Sequence, residues 1–169
     1  MKKLFYLFCI GIAVLLSSCT ISYKLNGASI DYTTTKTISF ENFQNKASLV
    51  YAPLAINFND ALQAKYASQT RLSQISKGGD LQLSGTITGY DISQLAPKAD
   101  AFASESRLTI RIKVKFVNQV HTSESFEKDF SSFRDFPATQ LLSDVQDDLC
   151  TQMIKELVEQ IFMATVANW

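Results

Sequence analysis

Arg107-Leu108-Thr109-Ile110-Arg111-Ile112-Lys113-Val114-Lys115-Phe116-Val117 decides the fold. Leu108, Ile110, Ile112, Val114 and Phe116 take every second position, and Arg107, Thr109, Arg111, Lys113 and Lys115 take the positions between. A period of two describes a strand with one face on a core and the other toward water or a partner.

Working outward, Leu81 begins another strand in which Leu83 and Ile87 share its face, preceded by the turn Lys77-Gly78-Gly79-Asp80. Gly85 and Gly89 inside that strand mark a bulge or a close approach of other groups, with a structural bend the plainer reading. Residues 93–104, with Pro97 and several Ala and Ser, read as a loop. A connection at 118–123 leads to a strand over about 124–133, where Phe126 and Phe130 alternate with charged neighbours. Residues 37–43 form a strand, since Ile38 and Phe40 alternate with Ser39 and Glu41, and 71–75 form a short one.

Two stretches carry a helical period instead. Pro53 opens the first, where its missing N–H costs nothing, and Leu54, Phe58, Ala61, Leu62 and Tyr66 follow before it fades near 68–70. The second runs from about 144 to 164, striped by Val145, Leu149, Met153, Leu157 and Ile161 and widened by Ile154, Val158 and Phe162. Ser143 with Gln146 fits a capping box, and Asp144, Asp147 and Asp148 suit the positive end of a helix dipole. The expected fold is α+β: a two-layer sandwich of two helices on a four- to five-stranded, mostly antiparallel sheet. No repeat, low-complexity run or domain boundary interrupts residues 37–169, so they read as a single domain.

The N-terminus reads differently. Met1-Lys2-Lys3 precedes an apolar run from Leu4 to Leu16, too short to span a bilayer, which needs roughly 20 apolar residues. It ends in Leu16-Ser17-Ser18-Cys19, the pattern of a lipoprotein signal: the Cys19 thiol is the nucleophile that takes a diacylglyceryl group, and the small serines admit a peptidase. An ordinary cleaved signal, with Cys19 incidental, is the alternative. Residues 1–18 are then removed, Cys19 is lipidated, and 19–36, rich in Ser, Thr and Tyr with an Asn26-Gly27 turn, serve as a tether that joins the fold late. Of the three cysteines, Cys9 is lost and Cys19 acylated, which leaves Cys150 as a buried, inert thiol in the last helix.

Of 169 residues, 151 remain after residue 18, enough for one ordinary core. The 16 basic and 16 acidic side chains balance, and loss of Lys2 and Lys3 leaves 14 against 16, a side-chain charge of −2. That balance argues against a nucleic-acid binder. His121, the single histidine, lies in a polar connection, too few soft ligands stand together for zinc, and no nucleophile elbow, phosphate loop or dinucleotide fingerprint is present. The expectation is a protein without catalytic residues, metal or cofactor.

Arg107, Arg111, Lys113 and Lys115 project together at alternate positions, about 6–7 Å apart. Such a row is either a solvated face guarded by charge against aggregation or an anion-binding face, in which arginine forks grip phosphates or carboxylates and lysine adds charge. Beside an outer membrane the anion would be lipopolysaccharide, with an acidic protein surface second.

Taken together, Tyr23-Lys24-Leu25-Asn26-Gly27-Ala28-Ser29-Ile30, residues 37–50, Ser68-Gln69-Thr70-Arg71-Leu72, residues 79–90, Arg107-Leu108-Thr109-Ile110, residues 130–136 and Val166-Ala167-Asn168-Trp169 resemble the LptE family of lipopolysaccharide-assembly lipoproteins in its Bacteroidota form. The resemblance covers nearly the whole chain after the signal and rests on overall pattern, not on a catalytic motif. It implies two helices on a small sheet, a seat inside the lumen of the outer-membrane barrel LptD, a part in that barrel's assembly, and contact with lipopolysaccharide in transit. It also implies anchoring on the periplasmic side, which agrees with Thr20 and Ile21 after the cysteine, where surface-exported relatives tend to carry acids. A stand-alone periplasmic lipoprotein for another anionic ligand is the second reading, and an unrecognised hydrolase the third.

Overall fold

The computed structural model describes residues 30–96 and 104–166. Cys19, the signal segment, most of the tether, Pro97 and the terminal Ala167-Asn168-Trp169 lie outside the described residues.

The chain runs β1 (Thr37–Phe40), β2 (Gln44–Asn45), α1 (Pro53–Gln69), β3 (Ser73–Ile75), β4 (Leu81–Gln94), β5 (Glu105–Asn118), a 3-10 turn (Thr122–Glu124), β6 (Phe126–Pro137) and α2 (Leu142–Val166). Six strands form one sheet in the order β3-β1-β4-β5-β6, with β2 following β1 along the same edge of β4. The α+β class, the two helices and the mostly antiparallel pairing agree with the sequence; the differences are that the sheet has six strands among the described residues rather than four to five, and that its short strands make it mixed. β4, β5 and β6 are antiparallel, whereas β1 runs parallel to both β3 and β4. The reason is topological: α1 intervenes between β1 and β3, and a crossover helix between adjacent strands makes them parallel.

The strand expected over 37–43 divides. Phe43 leaves the ladder because the Asn59 side chain takes both its backbone groups, accepting from the Phe43 N–H at 2.9 Å and donating to its carbonyl at 3.0 Å. The last strand begins at Phe126, not 124, because residues 122–124 wind into the 3-10 turn, and it runs on to Pro137. The expected capping box does not form: α2 starts at Leu142, the Ser143 hydroxyl donates to Asp144 at 3.0 Å, and Gln146 accepts from Tyr90 at 3.4 Å.

Both helices cover one face of the sheet. Leu54, Phe58, Leu62 and Tyr66, four apart on α1, are all buried, as are Met153, Leu157 and Ile161 on α2. They close over Leu108, Ile110, Ile112 and Val114 of β5, each 0% exposed. Complete burial of such a side chain contributes about 1.5–3 kcal/mol. Tyr66 pins the two helices: its ring meets Phe40 and Phe162 edge-on at 5.2 and 5.1 Å, and its hydroxyl bonds Thr165. Ile30 and Thr35 are buried as well, so the chain has joined the core by Ile30.

The two glycines of β4 do separate jobs. A Cβ at Gly85 would lie 2.2 Å from the Lys113 carbonyl and 2.4 Å from the Phe43 ring, so this is a close approach. At Gly89 the β4–β5 register shifts, and the space above it holds the Arg111 guanidinium, 2.8 Å from where a Cβ would sit.

Candidate functional site

Among the described residues the opposite face of the sheet carries no helix. Alternation along β5 buries the even-numbered residues and leaves Arg107, Arg111, Lys113 and Lys115 together on this open face, where the sequence put them. The flanking strands decide their environment. On β6 the same face holds Glu127, Asp129, Phe133 and Asp135, and on β4 it holds Asp91.

Arg107 forms a two-point pair with Asp135 directly across the ladder, at 2.7 and 2.9 Å, and its guanidinium lies 3.9 Å from the Phe133 ring centre. Arg111 lies over Gly89 and reaches Asp91 at 2.5 Å. Lys113 stands 3.6 Å from Glu127. Lys115 forms no ion pair among the described residues. Four cations therefore share the face with Asp91, Glu127, Asp129 and Asp135, and it is a ladder of alternating charge rather than a cationic stripe. The carboxylates escaped the sequence reading because which residue stands opposite which depends on register, and nothing local to residues 107–115 specifies it.

Lys115 also lines a groove of about 650 Å³ in which the crossover loop after β3 passes β1, and Lys77, Ser39, Glu41, Gln82 and Ser84 share that groove. The loop is held down by the Gly79 N–H donating to Ser39 Oγ at 3.2 Å and by Asp80, whose Oδ2 accepts from Lys36 N, Thr37 N and Thr37 Oγ1 at 2.8, 2.9 and 2.8 Å. Those bonds, the Lys36 amide first and the Thr37 hydroxyl next, hold the Asp80 carboxyl below its usual range.

Elsewhere the titratable groups serve packing. Glu156 of α2 accepts from Ser132 Oγ and Arg134 Nη1, both at 2.8 Å, and these bonds keep it ionised below the ordinary carboxylate range. Burial pushes the Cys150 thiol up to about 11, as expected of an inert cysteine. His121 is exposed, and its N–H donates to Asn118 Oδ1 at 2.9 Å. Among the described residues no group of three or more His, Cys, Asp or Glu is placed to hold a metal ion, and no helix is long and apolar enough to cross a membrane.

These features define a small two-layer α+β domain, helices on one face of a mixed sheet and a polar, charged face left open on the other. The same fold occurs in a minor lipoprotein from Acinetobacter baumannii (TM-score 0.50, 11% identity, covering 77% of this chain and 93% of that one). It occurs too in a putative neuraminyllactose-binding hemagglutinin homolog from Helicobacter pylori (TM-score 0.52, 11% identity, 82% and 87%). At such identities the likeness shows the fold. No curated protein matches the sequence. The model of the LptE family, described as lipopolysaccharide-assembly, matches residues 35–165, and the chain belongs to that family.

Proposed function

We propose that this chain is an outer-membrane lipoprotein, held on the periplasmic side by acyl chains on Cys19, that plugs the LptD barrel, helps it assemble and assists delivery of lipopolysaccharide to the cell surface. The family match over residues 35–165 carries the reading. The open face supports it physically. A large outer-membrane barrel has a polar interior, and a sheet face of paired charges is suited to lie against such a wall.

The work would be physical, with no bond made or broken. Exposed ion pairs contribute only about 0–1 kcal/mol. A lipid A phosphate arriving at the face would therefore displace Glu127 from Lys113, or Asp91 from Arg111, at little cost and gain a charge-assisted bond. Lys115, with Lys77 on the same groove, needs no displacement at all and is the first point of contact. Two or three acyl chains on Cys19 make anchoring durable, since each buried CH₂ contributes about 0.8 kcal/mol.

Purification of the native protein in mild detergent tests both halves. A large outer-membrane barrel should co-purify, and mass spectrometry should find an acylated amino-terminal cysteine. Recovery of the lipidated chain without any barrel would remove the plug reading, while an unmodified amino terminus would remove the anchor.

A further inference from the structure

The outer edge of β6 and the last turns of α2 make a second surface that the function above does not use. β6 ends the sheet. The Ala138 N–H donates back to the Ser104 carbonyl at 3.0 Å, and in an antiparallel ladder the N–H and C=O of one residue point the same way. Even-numbered residues of β6 therefore face β5, and odd-numbered ones face outward. The outward carbonyls of Ser131 and Phe133 are met only by side chains, Gln160 Nε2 at 3.5 Å and Arg134 Nη1 at 2.7 Å. The N–H groups of Glu127, Asp129, Ser131 and Phe133 have no hydrogen-bond partner among the described residues.

Two depressions lie beside this edge, about 430 and 720 Å³, and Gln160 and Met163 line both. Lys128 and Phe130 are among the other residues lining the first, and Arg134, Lys155, Glu156 and Glu159 among those lining the second. Met163 is 49% exposed at their junction. The edge thus offers a row of free donors with a partly apolar trough on the helix side and carboxylates on the open-face side. A second copy of the chain does not suit it. The antiparallel register that overlaps the whole strand would set Glu127 opposite Asp135 and Lys128 opposite Arg134, and like charges directly opposite are destabilising.

We infer that the β6 edge receives an extended segment of a partner protein as an additional strand, basic residues alternating with apolar ones. Main-chain bonds to the free N–H groups would give affinity, as in other strand additions. The basic side chains would stand beside Glu127, Asp129 and Asp135, and the apolar ones would enter the trough at Met163. The long bond from Gln160 to the Ser131 carbonyl is weak and easily displaced by an incoming N–H. This does not rest on the barrel being the partner, and its failure leaves that reading untouched.

The probes are a fluorescent octapeptide alternating Lys and Val and its Glu–Val counterpart, titrated into the purified chain and followed by anisotropy. Ser131→Pro removes an outward N–H that no fold contact uses, and proline is tolerated at such edge positions. Saturable binding of the Lys–Val peptide, roughly tenfold weaker in Ser131→Pro and for the Glu–Val peptide, is expected, with slowed amide exchange at Ser131 and Phe133. Equal binding by folded Ser131→Pro, equal binding of the two peptides, or unslowed exchange would overturn the inference. A concentration-dependent dimer abolished by Ser131→Pro would overturn it in favour of a second copy. If Ser131→Pro does not fold, the pair Asp129→Lys and Met163→Glu carries the same test, an unchanged affinity again counting against it.

Discussion

Arg107 grips Asp135 by two parallel hydrogen bonds across the β5–β6 ladder, Nε to Oδ1 at 2.7 Å and Nη2 to Oδ2 at 2.9 Å. The residue that opens the cationic row is thus already engaged, while Lys115 near the other end is not paired among the described residues. An incoming phosphate should find the Lys115 end first. Lys115→Glu should weaken binding of purified lipopolysaccharide roughly tenfold, the loss of a charge-assisted contact of about 1.5–3 kcal/mol partly offset elsewhere. Arg107→Ala should change it less than about threefold and cost at most about 1 kcal/mol of stability, since the pair is exposed. Equal losses in the two variants, measured by surface plasmon resonance at one salt concentration, would show that the row acts as a whole.

Gly85 separates two strands' worth of packing from a clash. Its missing side chain leaves room for the Phe43 ring on one side and the Lys113 carbonyl on the other. Backbone does not yield as a flexible side chain would. Gly85→Val should therefore destabilise the domain by about 3 kcal/mol or more, the upper end for overpacking, or prevent folding. Gly89→Val meets the ends of Arg111 and Asp91 instead. It should displace that ion pair and cost about 1 kcal/mol. Urea unfolding of the two variants, compared at constant slope, distinguishes backbone from side-chain conflict.

Asp80 ties the crossover loop to the start of β1 through bonds from Lys36 and Thr37, and its carboxyl lies below the ordinary 3.8. The sign follows from linkage. A carboxyl with a lowered folded value adds stability that is fully present above its unfolded value and is lost as pH falls through the folded one. Wild-type stability should thus decline below about pH 4. Asp80→Asn should flatten that part of the curve, and Asp80→Ala should cost about 1–2 kcal/mol at neutral pH by leaving the Thr37 N–H without its acceptor. Thermal unfolding between pH 2 and 7 measures both.

What the sequence displayed and what it concealed separate cleanly by range of interaction. The β5 alternation, the Leu54–Phe58–Leu62–Tyr66 stripe and the Pro53 start were legible because each depends on residues within a few positions of one another. The mixed sheet was harder: β1, β2 and β3 are 4, 2 and 3 residues long, and their direction is set by a helix crossing between them. The capping box at Ser143 failed because α2 begins at Leu142, which leaves Ser143 inside the helix. The four cations stood where alternation put them, but Asp91, Glu127 and Asp135 come from other strands, 14 to 28 positions from the cations they pair with, and no local pattern announced that they would answer the charge.

Cys150 offers the sharpest check on the helical layer. The residue is 1% exposed on the sheet-facing side of α2, its Sγ lies 3.9 Å from the Tyr90 hydroxyl, and burial, the largest influence, raises its thiol to about 11. The thiolate is the reactive form, so at pH 8 the folded chain should react with iodoacetamide far more slowly than an unfolded thiol near 8.5. The rate should jump when urea unfolds the domain, and the midpoint of that jump should coincide with loss of the far-ultraviolet dichroism signal. Rapid alkylation in native buffer would mean that α2 opens without global unfolding. In that case Cys150→Ser should leave the dichroism transition where it is, while Leu157→Ala, which hollows the layer directly and costs about 2–5 kcal/mol, should move it to markedly lower urea.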